Sequence, residues 1–197
     1  MMTFSAAKTV LSNEMSIPTR VPHPYLAVIA LAAALGLLLC SATLPAATTP
    51  PAERKPAPGF ALRSSNRATI ELSRYKGRVV LLDFWATWCH GCKTEVPWYI
   101  EFQKKYMPRG LSVIGVSMDS DGWRSVRPFL KRHRLNYPVV IGNDDLTKLY
   151  AVQALPVTLL IDRNGRIAEA HAGVVEKSAF AGDVEAPLRE PTPRIVR

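Results

Sequence analysis

Two cysteines separated by two residues constrain this chain more than any other feature, because they stand where a buried strand turns into a helix. Residues 78–85 (RVVLLDFW) form an apolar run that is typical of a strand covered on both faces. After three more residues, Cys89-His-Gly-Cys92 opens a helical pattern that extends to Tyr106. Unpaired N–H groups and the macrodipole at a helix N-terminus favour a thiolate. Cys89 is therefore the predicted nucleophile, and Cys92, in the same turn, is placed to resolve a mixed disulfide on it.

The chain contains only three cysteines among its 197 residues, and this count excludes several other classes of protein. A disulfide-dense scaffold is not available. One C-x-x-C with scattered His133 and His171 lacks the second ligand pair of a structural zinc site, so we expect no metal. A purely structural disulfide is disfavoured, because a strand-to-helix turn beside a buried acid is typical of reactive thiols.

Three residues near the cysteines are candidates for supporting roles. Asp83 interrupts the apolar strand, where burial would raise its pKa; the alternative is a partly solvated carboxylate at a strand end. His90 follows the first cysteine and either adds positive charge when protonated or points into water. Trp88 adjoins the nucleophile and is expected to contribute to the substrate-contact surface.

The rest of the region alternates strand-like runs with amphipathic stretches, which predicts helices laid on a central sheet with several parallel strands. An Asn-Gly pair within Asp162–Gly165 separates two apolar runs and predicts a hairpin, so the sheet must be mixed. The predicted strands are 78–85, 111–117, 138–141, 157–161 and 167–172, and the predicted helices are 90–106, about 123–134, 146–152 and 176–185.

The first 47 residues contain an apolar block, Tyr25–Cys40, that raises the hydrophobic content of the whole chain to 48%. Lys8 and Arg20 precede it, which favours a cytoplasmic N-terminus and export of the chain beyond the block. Residues 1–47 are therefore expected to be either a signal peptide or an N-terminal membrane anchor. A lipoprotein processing site at Cys40 is disfavoured, because Leu39 stands where such sites normally have Gly, Ala or Ser.

Composition also predicts the limits of the folded domain. Residues 48–58 (TTPPAERKPAP) are rich in proline and are expected to form an extended linker. Residues 187–197, which combine prolines with arginines, are expected to form a flexible basic tail that cannot continue a helix. The domain would then span 59–186, roughly the length that supports one core.

The run from Asp83 to Pro97 (DFWATWCHGCKTEVP) resembles the thioredoxin superfamily, specifically its TlpA/ResA/CcmG-like branch of bacterial envelope thiol-disulfide oxidoreductases. Segments 75–80, 110–119 and 155–167 match that branch in the same order. The resemblance implies a thioredoxin-like α/β fold, in which helices flank a central mixed β-sheet. It also implies a redox-active Cys89–Cys92 disulfide and no tightly bound cofactor.

The resemblance implies further residue roles. Pro156 would be the cis-proline of the family, lying beside the cysteines, with backbone near Leu155 pairing with an extended substrate segment; the alternative is an ordinary trans proline. Asp83 stands six residues before the first cysteine, where thioredoxins have an acid that assists proton transfer at the resolving thiol. Many relatives in this branch have Asn there. Glu95 also occurs in the branch, and no role is assigned to it.

By resemblance the protein would reduce disulfides in envelope proteins, with cytochrome c maturation as the commonest context. A membrane thiol-electron donor of the DsbD/CcdA type would regenerate it on the periplasmic side of the cytoplasmic membrane. Disulfide oxidase or isomerase activity is the alternative, because His90-Gly91 matches neither the Gly-Pro of thioredoxin nor the Pro-His of strong periplasmic oxidants. Thiol peroxidase activity is disfavoured, because Ala86 and Leu82 occupy the positions of the Thr and Pro in the peroxiredoxin motif.

The formal net charge is +9, and several of the cations cluster within residues 124–134. Three interpretations of this cluster are open: it binds an acidic partner, it lies against an anionic membrane surface, or it is a solvated helix face without a partner. No basic pattern interleaved with aromatic residues is present, so nucleic-acid binding is not expected.

Overall fold

The computed structural model describes residues 48–192, which fold into two β-sheets and four α-helices. The strands are β1 (Ala61–Arg63), β2 (Thr69–Glu71), β3 (Val79–Trp85), β4 (Leu111–Ser117), β5 (Val139–Ile141), β6 (Val157–Ile161) and β7 (Ile167–Ala172). The helices are α1 (His90–Tyr106), α2 (Trp123–His133), α3 (Asp144–Leu149) and α4 (Lys177–Arg189), with short 3-10 helices at Leu72–Tyr75 and Met107–Arg109.

The main sheet has five strands in the order β5-β4-β3-β6-β7. Strand β3 pairs in parallel with β4 and antiparallel with β6, while β4–β5 is parallel and β6–β7 antiparallel. Strands β1 and β2 form a separate antiparallel ribbon. The predicted architecture of a mixed sheet between helices is confirmed, and β3 lies at its centre.

Side chains of β3 alternate between two hydrophobic cores, because successive residues of a strand point to opposite faces of the sheet. Val79, Leu81 and Trp85 pack into the core formed with α1, α2 and α4. Val80, Leu82 and Phe84 pack into the other core, with side chains from β2 and the α3 region. Burial on both faces explains the uninterrupted apolar run that precedes the C-x-x-C.

Residues 48–58 pack against the domain, in contrast to the linker expected from their proline content. The Thr49 N–H donates to the Ala168 carbonyl at 3.0 Å, and the Ile167 N–H donates to the Lys55 carbonyl at 2.8 Å. Prolines remove backbone donors but leave carbonyls and the remaining N–H groups free to pair with an edge strand. The folded region therefore begins before residue 59.

A buried ion-pair network anchors this segment. The Arg54 guanidinium lies 3.0 Å from Asp162 Oδ2 and 2.6 Å from Glu190 Oε1, and the Arg54 side chain is 1% exposed. Asp162 Oδ1 also accepts from the N–H groups of Asn164 and Arg166 in the β6–β7 turn. Arg54 thus ties together the N-terminal segment, the hairpin and the end of α4.

The C-terminal helix also differs from its prediction. Helix α4 runs to Arg189 and includes Pro187, where the sequence predicts the start of a flexible tail. Pro187 and Leu188 are buried, and Leu188 belongs to the core with α1. Burial of these side chains offsets the one backbone hydrogen bond that a proline lacks.

The apolar block Tyr25–Cys40 and the remainder of residues 1–47 lie outside the described residues, as do residues 193–197. The predicted signal peptide or anchor therefore lies outside the described residues. Within residues 48–192, none of the helices combines the length and the hydrophobicity required to cross a membrane.

Replacing Arg54 with methionine is expected to lower the free energy of unfolding by about 3 kcal/mol, because the buried Asp162 carboxylate loses its cation. Urea unfolding of the purified protein measures the change. Arg74→Met is the control: Arg74 is 74% exposed in its ion pair with Glu71. Its loss should leave the urea unfolding transition nearly unchanged, because solvent screens an exposed ion pair. Equally small losses for both variants would show that the Arg54 network contributes little to stability.

Candidate active site

The two cysteines of the C-x-x-C form a disulfide at the N-terminus of α1, with an S–S distance of 2.03 Å. Cys89 is the N-cap residue, and its Sγ accepts a hydrogen bond from the Cys92 N–H at 3.1 Å. Cys89 is 6% exposed and Cys92 is 1% exposed. A partner molecule therefore has easier access to Cys89, while Cys92 faces the core.

The loop before β6 packs against the C-x-x-C. The Leu155–Pro156 peptide bond is cis. A Cβ atom at Gly91 would lie 3.4 Å from Pro156 Cδ and 2.8 Å from Val174 Cγ2. The absence of a side chain at Gly91 thus permits these residues to approach the motif closely. Pro156 is buried and Leu155 is partly buried.

Two exposed apolar side chains adjoin the disulfide. Trp88, next to Cys89 in the chain, is 65% exposed, and Val174, next to Gly91 in space, is 47% exposed. His90 begins α1 and is exposed to solvent. The site is therefore an exposed apolar surface around a nearly buried pair of sulfur atoms.

Two carboxyl groups are buried on the α1 side of the sheet. Asp83, between Leu81 and Trp85 in β3, is 1% exposed, and its Oδ1 has no hydrogen-bond partner among the described residues. Burial, reinforced by the charge of Glu95, raises the pKa of Asp83 well above its usual value. Glu95 is also 1% exposed, and burial raises its pKa to about 7.

Two tyrosines complete what we term the buried polar cluster, which consists of Asp83, Glu95, Tyr99 and Tyr137. The Tyr99 hydroxyl is hydrogen-bonded to Thr158 Oγ1 at 2.8 Å. Burial and the charge of Asp83 raise the pKa of both tyrosines, so each hydroxyl retains its proton. The cluster therefore places neutral donors beside two carboxyl groups whose pKa values are both raised by burial.

Helical spacing explains how Glu95 enters this cluster. Residues Cys92, Glu95 and Tyr99 are separated by three and four positions, so they share one face of α1. This spacing is visible in the sequence, but it does not by itself assign a role to Glu95. Tyr137 gave no comparable signal, because it precedes β5 and reaches Asp83 only through the fold.

Asp119 orients the loop that leads to Cys89. Asp119 is 5% exposed. Its carboxylate accepts hydrogen bonds from the Thr87 N–H at 2.9 Å, from the Thr87 hydroxyl and from the Ser117 hydroxyl. These contacts connect the end of β4 to the loop after β3. Sequence reasoning missed Asp119, which acts through position rather than through a recognisable motif.

Comparison with known proteins places this geometry in a family. The model of the AhpC/TSA family matches residues 54–170. The chain belongs to the AhpC/TSA family. It is 35% identical over 127 residues to the thiol-disulfide oxidoreductase ResA of Bacillus subtilis, covering 64% of this chain and 70% of that protein. It is 34% identical over 130 residues to ResA of Geobacillus kaustophilus, covering 66% of this chain and 74% of that protein.

A solved structure supports the same relationship. A Chlorobium tepidum protein assigned as the thiol:disulfide interchange protein DsbE shares 33% sequence identity, with a TM-score of 0.65. The match covers 68% of this chain and 96% of that protein. The predicted thioredoxin-like fold and the predicted relationship to ResA-like oxidoreductases are confirmed.

Proposed function

We propose that this protein reduces disulfide bonds in envelope proteins through the Cys89–Cys92 pair. The chain is a thiol-disulfide oxidoreductase, since it combines the fold of its ResA relatives with two cysteines at disulfide distance. The Cys89 thiolate attacks one sulfur of a target disulfide and releases the other target sulfur as a thiolate. Cys92, once deprotonated, attacks Cys89 Sγ, which releases the reduced target and leaves the Cys89–Cys92 disulfide.

The observation that carries the reducing direction is the pair of buried carboxyl groups on the α1 side of β3. A strongly oxidising protein stabilises its reduced form, chiefly as a cysteine thiolate. Here Cys89 Sγ accepts a backbone N–H, and no cationic side chain is hydrogen-bonded to it within residues 48–192. Where Asp83 or Glu95 is ionised, its negative charge opposes a thiolate at the cysteines, so the dithiol gives up its electrons more readily.

The cis-proline loop is proposed to bind the substrate backbone. The Leu155 N–H and C=O groups make no backbone hydrogen bond in the described part of the chain, whereas the Pro156 carbonyl accepts from the Gly173 N–H at 2.9 Å. An extended substrate segment would pair with Leu155, and exposed Trp88 would contact its apolar side chains. His90 lies at the rim of the same surface.

The proton acceptor for Cys92 is proposed to be Asp83, with Glu95 as its coupled neighbour. A thiol in apolar surroundings needs a base to become a nucleophile, and Cys92 is 1% exposed. Each carboxyl group has an oxygen atom without a hydrogen-bond partner among the described residues. Such oxygens are free to accept the thiol proton.

We place the protein on the periplasmic side of the cytoplasmic membrane, in a context of the cytochrome c maturation type. The apolar block at Tyr25–Cys40 supports export, with residues 1–47 serving as a cleaved signal peptide or as an anchor. A membrane thiol-electron donor of the DsbD/CcdA type would return two electrons to the disulfide after each cycle.

Insulin reduction driven by dithiothreitol tests the proposed activity. Cys89→Ser is expected to reduce the rate at least 100-fold, to the level of dithiothreitol alone, because the remaining thiol, that of Cys92, is only 1% exposed. Ser73→Ala, at an exposed residue of the 3-10 helix Leu72–Tyr75, is the control and should leave the rate within about twofold. Full activity in Cys89→Ser would contradict the proposed nucleophile.

A further inference from the structure

A cleft of about 540 Å³ opens between α2 and the residues that flank the C-x-x-C. Thr87 and Lys93 line it on the active-site side, and Arg124, Arg132 and His133 line it on the side of α2. We call this the basic cleft. Thr87 precedes Cys89 by two residues and Lys93 directly follows Cys92, so the cleft lies beside the reactive disulfide.

The floor of the basic cleft is apolar and well packed. The Phe129 ring lies 4.9 Å from the Trp85 ring and 4.1 Å from the His133 ring, measured between centroids. Trp85 is fully buried in the core beneath α1. The cations of the cleft therefore surround a firm concave surface next to the active-site helix.

The cations of the basic cleft lack acidic partners. Lys93, Arg124 and Arg132 are exposed, and none of them lies within 4.0 Å of a carboxylate oxygen in the described part of the chain. Of the acids nearby, Asp119 is bound to Thr87, and Asp121 accepts from the Ser125 hydroxyl at 2.7 Å. The positive charge is thus free to interact with another molecule.

We propose that the basic cleft binds an acidic segment of the protein that exchanges disulfides with Cys89, and so selects among partners. Lys93 on α1 and the arginines on α2 present positive charge from two walls of a concave surface. Such a surface fits a polypeptide segment with projecting acidic side chains better than it fits a flat lipid surface. Complementary charge accelerates encounter and suppresses wrong partners. This inference rests on the proposed function, because it assigns the partner of the same disulfide.

Two disulfide-linked peptides that differ only in a run of glutamates or glutamines beside the cysteine provide the test. With the full chain at low salt, we expect kcat/KM to be about tenfold higher for the glutamate peptide, and the ratio to approach one as salt rises to about 0.5 M. Binding of cysteine-free versions of both peptides is measured in parallel by fluorescence titration. Equal rates and equal affinities for the two peptides would overturn the proposal.

Charge-reversal variants separate the basic cleft from the net charge of the protein. Arg124→Glu/Arg132→Glu should bring the glutamate-to-glutamine ratio to about one. Lys131→Glu/Lys148→Glu changes the net charge equally at exposed residues outside the cleft and should retain the preference. An equal loss in both variants would assign the preference to overall charge and contradict a specific cleft.

Two further outcomes distinguish competing explanations. If neither peptide is reduced but the glutamate peptide binds more tightly in a cleft-dependent way, the proposed function fails and the cleft stands as a binding site. The second outcome concerns membranes. If the wild type shows no peptide preference, and Arg124→Glu/Arg132→Glu loses binding to phosphatidylglycerol vesicles while Lys131→Glu/Lys148→Glu keeps it, the cations bind a membrane surface. The proposal is then wrong.

Discussion

Cys92→Ser is expected to convert the protein into a trap for its substrates. Cys89 at the helix N-terminus still attacks a target disulfide, but serine cannot displace the target sulfur from Cys89. The mixed disulfide should therefore persist at least 100-fold longer than in the wild type. Non-reducing electrophoresis and intact-mass measurement after mixing with oxidised insulin detect the adduct.

The matched variant Cys89→Ser separates the roles of the two cysteines. Its remaining thiol, Cys92, belongs to a residue only 1% exposed, so it should form at most traces of adduct. Adduct formation by Cys89→Ser in place of Cys92→Ser would reverse the assigned roles. Adducts with neither variant would contradict the exchange mechanism itself.

Asp83→Asn is expected to slow resolution of the mixed disulfide by about 10- to 100-fold near neutral pH, because the buried thiol of Cys92 loses its proton acceptor. The first attack by Cys89 should change much less. Stopped-flow kinetics with a fluorescent disulfide peptide resolves the two steps. Asp145→Asn, an exposed acid at the start of α3, is the control and should leave both rates within about twofold.

Asp83→Asn is also expected to raise the free energy of unfolding at high pH. The pKa of Asp83 is raised by burial, so the native state retains its full stability below the unfolded pKa of about 3.9 and loses part of it as pH rises through the folded-state value. Asn has no such penalty. Asp83→Asn should therefore unfold at higher urea concentration than the wild type at pH 8, with a smaller difference at pH 5. A difference independent of pH would contradict the proposed burial of a titrating carboxyl group.

Much of the fold followed from sequence pattern because hydrophobic periodicity and the cysteine motif agreed. The predicted strand 111–117 and the predicted helix 90–106 coincide with β4 and α1. Strand 78–85 differs from β3 by one residue. These elements have long regular patterns and are buried in the core, so local sequence and tertiary packing favour the same structure.

The elements that sequence missed depend on contacts between distant residues. Strands β1 and β2 have three residues each, too few to show periodicity. Docking of residues 48–58 requires Arg54 to meet Asp162 and Glu190, which lie 108 and 136 positions away. Local composition carries no information about such pairs, and proline content therefore suggested a linker.

The candidate site likewise combines residues that local sequence reveals with residues that only the fold brings together. Both cysteines and Asp83 were identified from the strand and the motif. Glu95 and Tyr137 join Asp83 only when α1 and the segment before β5 pack on the sheet. The basic cleft likewise requires Lys93 to face α2, so the charge cluster in residues 124–134 does not by itself reveal a concave site.

A redox titration of the Cys89–Cys92 pair against glutathione tests the reducing direction most directly. If the buried carboxyl groups destabilise the thiolate, the potential should lie near the thioredoxin value of about −270 mV, and Asp83→Asn should raise it. A potential near −120 mV, the approximate value of strong periplasmic oxidants, would contradict reduction as the function of this protein.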